Sequence, residues 1–264
     1  MAELRKYPRT PHLEGSRPQP GDDDMQTGSF SSLVGRHIVV EEKVDGANAG
    51  ISFDANGRPH LQSRGHFLEG GPRERHFALL KTWAACHQAG LHRALGSRYI
   101  LYGEWLYAKH TLFYDQLPHY FLEFDVLDTE RDVFLTTDAR RDLLAGLPLV
   151  SAPLLWEGIA TTFEGVLAHL GASQVRSPDW RAELHRVCAS EGLDGDRVDR
   201  ETDPSDTMEG LYVKVEEDGR VVERCKFVRP TFSTHVLDSE SHWLSRPIVP
   251  NQLREGVDLF GATP

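Results

Sequence analysis

Two turn dipeptides restrict the fold of this chain more than any other feature. Asn56-Gly57 and Asp218-Gly219 each lie between short apolar runs, ANAGISFDANGRPHLQS and EGLYVKVEEDGRVVERCKFV. A two-residue turn needs positive φ, which Asn, Asp and Gly adopt at low cost, and its twist suits antiparallel strands. Two hairpins are therefore expected, with HIVVEEKV from His37 as a further strand. The aromatic runs YILYGEWLYA and HYFLEFDVLD have the length and composition of buried strands. Ahead of them, Phe77, Leu80, Trp83, Ala84 and Leu91 recur at near-helical spacing, predicting a helix over 74–96 closed by Gly96. Residues 136–190 read as mostly helical, with Thr137 as an N-cap and Pro148 and Pro153 as punctuation. Residues 191–206, with seven acids and two arginines, read as an exposed loop. Hairpins with segregated helices predict an α+β class. The expected organisation is an extended, loosely packed lead-in over 1–30 with GDDD at 21–24, one main domain over 31–235, and a short C-terminal extension over 236–264.

Composition excludes several classes. No run of 18 apolar residues is present, so no membrane span is expected. The N-terminus lacks the apolar core of a signal peptide, which points to the cytoplasm. Cys86, Cys188 and Cys225 are far apart without metal-ligand spacing and read as reduced thiols. The net charge of −11 is unlike that of a protein gripping nucleic acid over a broad basic surface. The charge is uneven, however: residues 58–110 hold eight Lys/Arg and six His against three acids. They form either one basic face or charges scattered over several.

Five segments carry candidate chemistry. They are Glu42-Lys43-Val44-Asp45-Gly46-Ala47-Asn48, Ser63-Arg64-Gly65, Tyr102-Gly103-Glu104-Trp105, Phe121-Leu122-Glu123-Phe124-Asp125-Val126, and Glu209-Gly210-Leu211-Tyr212-Val213-Lys214 with Arg224-Cys225-Lys226-Phe227. Singly, each has a structural explanation such as a surface turn or a salt-bridge cluster. A glutamate inside an apolar strand is costly without a partner or ligand. In a hairpin turning at Asp218-Gly219, Lys214 and Lys226 reach the same face.

In this order the segments resemble the covalent nucleotidyltransferase superfamily of ATP-dependent ligases and capping enzymes, over about residues 38–230. The match is most like the RNA ligases related to the phage nick-sealing enzyme and the kinetoplastid editing ligases. Asn48 in KVDGAN and the compact KFVR end favour that branch. Arg224 departs from the family's usual lysine, and Arg differs from Lys in geometry. About 30 residues follow Phe232, too few for an OB-type domain.

The resemblance implies an antiparallel-sheet adenylation domain, ATP-grasp-like, with flanking helices and no C-terminal OB domain. It implies an ATP-dependent RNA ligase acting in RNA repair. Lys43 would take AMP from ATP, pass it to a 5′-phosphate, and release it when a 3′-hydroxyl attacks. Lys214 and Lys226 would act with it as catalytic residues, their cations lowering the pKa of Lys43. Glu42, Asp45, Gly46, Asn48, Arg64, Glu104 and Phe124 would bind the nucleotide together with those lysines. Glu209 would hold Mg²⁺ or Mn²⁺. Lys109, His110 and His119 would meet RNA phosphates, and Arg73, Arg75 and His76 are open to the same reading or to solvated surface. RNA ends or a nicked duplex are the expected partners, with an end-healing kinase or phosphatase upstream and no membrane. A capping guanylyltransferase, a DNA ligase and a catalytically silent nucleic-acid-binding module are the competing expectations.

Overall fold

In the computed structural model, residues 3–18, 27–232 and 247–261 are described. The strands are β1 (His12–Leu13), β2 (Thr27–Gly28), β3 (His37–Lys43), β4 (Ala47–Phe53), β5 (Pro59–Ser63), β6 (Tyr99–Trp105), β7 (Phe121–Asp128), β8 (Val133–Leu135), β9 (Val150–Ser151), β10 (Leu154–Ile159), β11 (Gly210–Glu217) and β12 (Arg220–Val228). The α-helices are α1 (Ala78–Cys86), α2 (Gln88–Leu95), α3 (Thr137–Leu144), α4 (Phe163–Leu167), α5 (Trp180–Ser190) and α6 (Gly195–Arg200). A largely antiparallel sheet runs β10-β3-β11-β12-β8-β7-β6-β4-β5, so the class is α+β. Both expected hairpins form, the second on a two-residue turn and the first through the longer loop 54–58. Asp218 and Gly219 hold φ of 50° and 73°, and Gly57 holds 74°. Among the described residues no helix is long and apolar enough to cross a membrane.

Alternation along β3, β11 and β12 divides the sheet into two faces. Gly210 pairs with Lys43, Tyr212 with Glu41 and Lys226, and Lys214 with Arg224. These side chains therefore share one polar face. The opposite face carries Ile38, Val40, Leu211, Val213, Val215, Cys225 and Phe227, which bury against Phe30, Leu33 and Met208. A second, larger core joins β4, β6 and β7 to α1 and α2 through Ile51, Leu101, Trp105, Phe121, Leu80 and Trp83. The polar face lies between these cores and holds the residues of chemical interest.

Four local expectations need correction. The helix over 74–96 is a 3₁₀ turn (Pro72–Phe77) followed by α1 and α2, because His87 leaves helical geometry at φ −102° and ψ 10° and packs its ring on Trp83. The mostly helical stretch over 136–190 contains β9 and β10. β10 pairs with β3, whose backbone would otherwise present an open edge. The cap of α3 is Thr136, whose side chain accepts from the Ala139 N–H, while the Thr137 hydroxyl donates to Glu216 at 2.6 Å. The exposed loop over 191–206 contains α6, capped by Asp194, and buries Thr202 and Asp203, with Asp203 2.5 Å from Arg229.

The lead-in is also not loosely packed where it is described. Tyr7, Thr10, His12 and Leu13 are buried, the Arg5 carbonyl accepts from Tyr102 Oη at 2.7 Å and Gln62 Nε2 at 2.8 Å, and the Pro11 carbonyl accepts from Lys226 N–H at 2.9 Å. The GDDD run at 21–24 lies outside the described residues. Residues 247–261 likewise pack down, with Asn251 fully buried and bonded to Tyr114 N–H and the Leu106 carbonyl.

Candidate active site

A cavity of about 390 Å³ opens over the polar face. Lys43, at the end of β3, projects into it and donates from Nζ to Glu209 Oε2 at 2.8 Å. The Glu-Gly step explains the proximity. Gly210 pairs with Lys43, and a Cβ on Gly210 would lie 1.9 Å from the Phe227 carbonyl oxygen, so only glycine lets β11 start here. Glu104 enters from β6 opposite Asn48, and its Oε1 accepts the Gly46 N–H at 3.2 Å. Gly46 is equally constrained, since a Cβ would meet Leu106 at 2.6 Å and the Trp105 carbonyl at 2.7 Å.

The electrostatics of this cluster differ from the expectation of a lysine depressed by cations. Burial pushes Lys43 down, but Glu209 and Glu104 outweigh it and hold the ammonium above the ordinary lysine range. The carboxylates respond in turn. Burial, opposed by Lys43 and reinforced by Glu209 and Asp45, raises Glu104 to about 8. Burial raises Glu209 to about 7 against the attraction of Lys43. The cluster thus carries more carboxylate than its cations offset. A buried lysine in such a place becomes a nucleophile when its carboxylate partner is drawn elsewhere.

The far wall is aromatic. Residues Tyr102 and Gly103 pair with Asp125 and Glu123, leaving Phe124 as the extra residue of a β-bulge. A bulge re-aims its side chain, and Phe124 lines the cavity 6.2 Å from the Tyr212 ring at 33°. Lys226 lines the cavity as well. Lys214 does not. It is buried beneath, 2.8 Å from Glu41 and 3.4 Å from Asp125, with the Phe124 carbonyl as a further acceptor. Lys214 and Lys226 share a face, but only Lys226 is presented to a ligand. Arg224 stacks its planar guanidinium 3.8 Å over Phe134 and donates to Asp125 at 3.0 Å, and a lysine has no plane to stack.

Other expected site residues are placed differently. Glu42 lines the cavity, but its carboxylate lies on the opposite face of β3, bonded to Ser173 Oγ at 2.5 Å and Gln174 N–H at 2.9 Å. Asp45 Oδ2 accepts the N–H groups of Thr111 and Leu112 at 2.7 and 2.8 Å, so it anchors the following loop. His119 is in the core, ring against Trp83 and bonded to the Phe121 backbone, and burial lowers it to about 4. It has no access to phosphate.

A second cavity of about 600 Å³ adjoins the first, with Asn48 and Arg64 on the walls of both. Arg75, His76, Lys109, His110 and Arg197 also line it. Burial, with His110 and Arg75 nearby, lowers His76 to about 4, and burial lowers His110 despite Asp45. Both histidines are therefore neutral near pH 7, and the positive charge here comes from arginine and lysine. The Lys109 ammonium bonds to the carbonyls of His110 and Glu201, each at 3.0 Å. The basic segment over 58–110 divides accordingly: Arg64, Arg75 and Lys109 meet here, whereas Arg98 pairs with Asp128 and Lys81 with Glu74.

Sequence reasoning missed Tyr7 and Thr10, which line the nucleotide-sized cavity from the lead-in. A tyrosine amid Pro, Arg and Lys was the only available signal.

Residues 36–228 match the family model described as RNA ligase. Among solved structures, a Naegleria gruberi RNA ligase with PPi superposes at a TM-score of 0.51 and 18% identity, covering 83% of this chain and 59% of that one. A lysine-to-alanine mutant of that ligase with ATP and Mn gives 0.48 and 17%, covering 75% and 51%. The chain therefore spans only about half to three-fifths of those structures. No curated protein matches the sequence.

Proposed function

The chain belongs to the RNA ligase family, and on that premise we propose that it is an ATP-dependent RNA ligase that carries AMP on Lys43. The observation that carries this reading is Lys43 Nζ, projecting into a cavity at 2.8 Å from Glu209 with Glu104 beside it. In the first step the deprotonated Lys43 amine attacks the α-phosphorus of ATP and pyrophosphate leaves. AMP then passes to a 5′-phosphate, and a 3′-hydroxyl attacks that phosphorus and releases AMP. The adenine lies against Phe124 with the Tyr212 hydroxyl at its edge, Glu104 accepts from the ribose hydroxyls, and Lys226 offsets charge on the α-phosphate. Asn48 and Arg64, common to both cavities, meet phosphate between them, and the RNA end occupies the larger cavity beside Arg75 and Arg197.

The donor set suits a hard divalent cation. Glu209 and Glu104 are carboxylates in excess over their cations, and among the described residues no cluster of three His, Cys, Asp or Glu ligands exists. Phosphate oxygens and water would complete the shell of Mg²⁺ or Mn²⁺. Bound at Glu209, such a cation supplies neutralisation of the phosphate and loosens the carboxylate's hold on the Lys43 proton. The role proposed is RNA repair in the cytoplasm, on 5′-phosphate and 3′-hydroxyl ends supplied by end-healing kinase or phosphatase activity.

The test is mass spectrometry of the protein with ATP and Mg²⁺, before and after adding a nicked RNA duplex. An AMP adduct on Lys43 that nicked RNA discharges is expected. An adduct on another lysine overturns the site, and an adduct from GTP in place of ATP indicates a capping-type enzyme. Equal sealing of an all-DNA nick overturns the RNA assignment, because a 2′-hydroxyl is what distinguishes the sugars.

A further inference from the structure

The family match begins at residue 36, yet the described residues of the lead-in form part of the cavity wall. The segment is fastened across several strands: its Arg5 carbonyl to Tyr102 and Gln62, and its Pro11 carbonyl to Lys226, whose residue also pairs with His12. The Tyr7 ring lies 5.1 Å from both Tyr102 and Phe124. Its hydroxyl is 2.5 Å from Asp125 Oδ2 and 2.5 Å from the Tyr212 hydroxyl. The Tyr212 hydroxyl is in turn 3.1 Å from Thr10 Oγ1.

These four groups leave one consistent arrangement of hydrogens. Asp125 is ionised. Burial alone would raise it, but Arg224, Lys214 and Arg140 bring it down to about 2. A carboxylate only accepts, so the single Tyr7 hydrogen goes to Asp125. The Tyr7 oxygen must then accept, and Tyr212 donates to it. With the Tyr212 hydrogen committed, Thr10 donates to Tyr212. Every hydroxyl hydrogen of this wall runs down the chain Thr10, Tyr212, Tyr7, Asp125, and the oxygens show the cavity only lone pairs.

We propose that this hydroxyl chain makes Tyr7 and Thr10 specificity determinants, presenting acceptors to the exocyclic amine of the bound base and disfavouring an oxo group at that position. Thr10 and Tyr212 face the base, and Tyr7 is a positioning residue that acts through Tyr212. The inference rests on the reading of the cavity as a nucleotide site. An amine donates to such a wall, whereas an oxo group meets it lone pair to lone pair, and a buried group left unpaired costs binding.

The test is equilibrium binding of AMP, IMP and purine riboside 5′-monophosphate to the intact chain. The three ligands differ at position 6, with amine, oxo and hydrogen respectively. Wild type is expected to bind AMP at least about tenfold tighter than either analogue. In Tyr7→Phe, which keeps the ring, Tyr212 is freed to turn its hydrogen into the cavity, and the gap between AMP and IMP should close. Thr10→Val removes one acceptor and should weaken AMP while leaving purine riboside monophosphate unchanged, which keeps the test open if Tyr7→Phe folds poorly. Equal affinities in wild type, or an undiminished AMP preference over IMP in both variants, overturn the inference while leaving the nucleotide site standing. Failure of all three ligands to bind removes the nucleotide site itself.

Discussion

Lys43 and Lys214 stand on the same face of one sheet, on neighbouring strands, and their surroundings are opposite. Around Lys214, three buried anions (Glu41, Glu123 and Asp125) face the buried cations Lys214 and Arg140 and the partly buried Arg224. Asp125 is held at about 2, and its charge is matched. Around Lys43, the carboxylates outnumber what the cations offset, and Glu104 and Glu209 rise to about 8 and 7. A buried carboxylate outweighed by cations is held ionised, whereas a surplus carboxylate is pushed by burial toward its neutral form. The matched cluster therefore braces the sheet, and the unmatched one is where an incoming phosphate and cation find a field already oriented.

The largest expected effect tests whether Lys43 is a nucleophile and not a second brace. Lys43→Arg keeps the charge beside Glu209 but cannot be deprotonated. Loss of all AMP adduct with an unchanged melting temperature is expected by mass spectrometry and calorimetry, and a surviving adduct would merge the two clusters.

The matched cluster should fail structurally. Arg140→Met leaves Glu123 without its cation and Glu41 with Lys214 alone. Removing one side of a buried pair costs roughly 3–5 kcal/mol, to be read from denaturant unfolding. A loss below about 1 kcal/mol, the range of exposed ion pairs, would show that the network is not a brace.

A smaller effect sharpens the contrast through pH. The folded-state pKa of Glu104 lies above its unfolded value, so the stability associated with its protonation is present below about pH 4.5 and is lost as pH rises to about 8. Glu104→Gln removes that loss. The variant should melt like wild type at low pH and higher by roughly 3 °C or more above about pH 8, while its nucleotide transfer falls. No divergence between the two melting curves across that window would contradict the charge imbalance.

The smallest effect belongs outside both clusters. Asp218→Ala puts alanine at φ 50° in the turn, at a cost of about 1 kcal/mol, and should leave adduct formation at the wild-type rate. A slowed adduct would mean that the β11–β12 hairpin transmits strain into the cavity.

The sequence by itself determined what depends on neighbours along the chain. Turn chemistry at Asn56-Gly57 and Asp218-Gly219 placed the hairpins, and strand alternation about the second turn put Lys214 and Lys226 on one face, because both are properties of a few adjacent residues; that Lys43 joins them was decided by the pairing of β3 with β11. The motif order also marked Glu104, Phe124 and Glu209 as lining candidates. Only the tertiary structure decided which of these charges were already spoken for. Lys214 met Glu41 and Asp125, Asp45 met the backbone at 111 and 112, and the Glu42 carboxylate met Ser173. His119 met Trp83, and Tyr7 arrived from outside the motifs to join Asp125. Each of these partners except Trp83 lies more than sixty positions away, and ionisation follows burial and partner charge, so neither a residue's type nor its spacing could reveal its state.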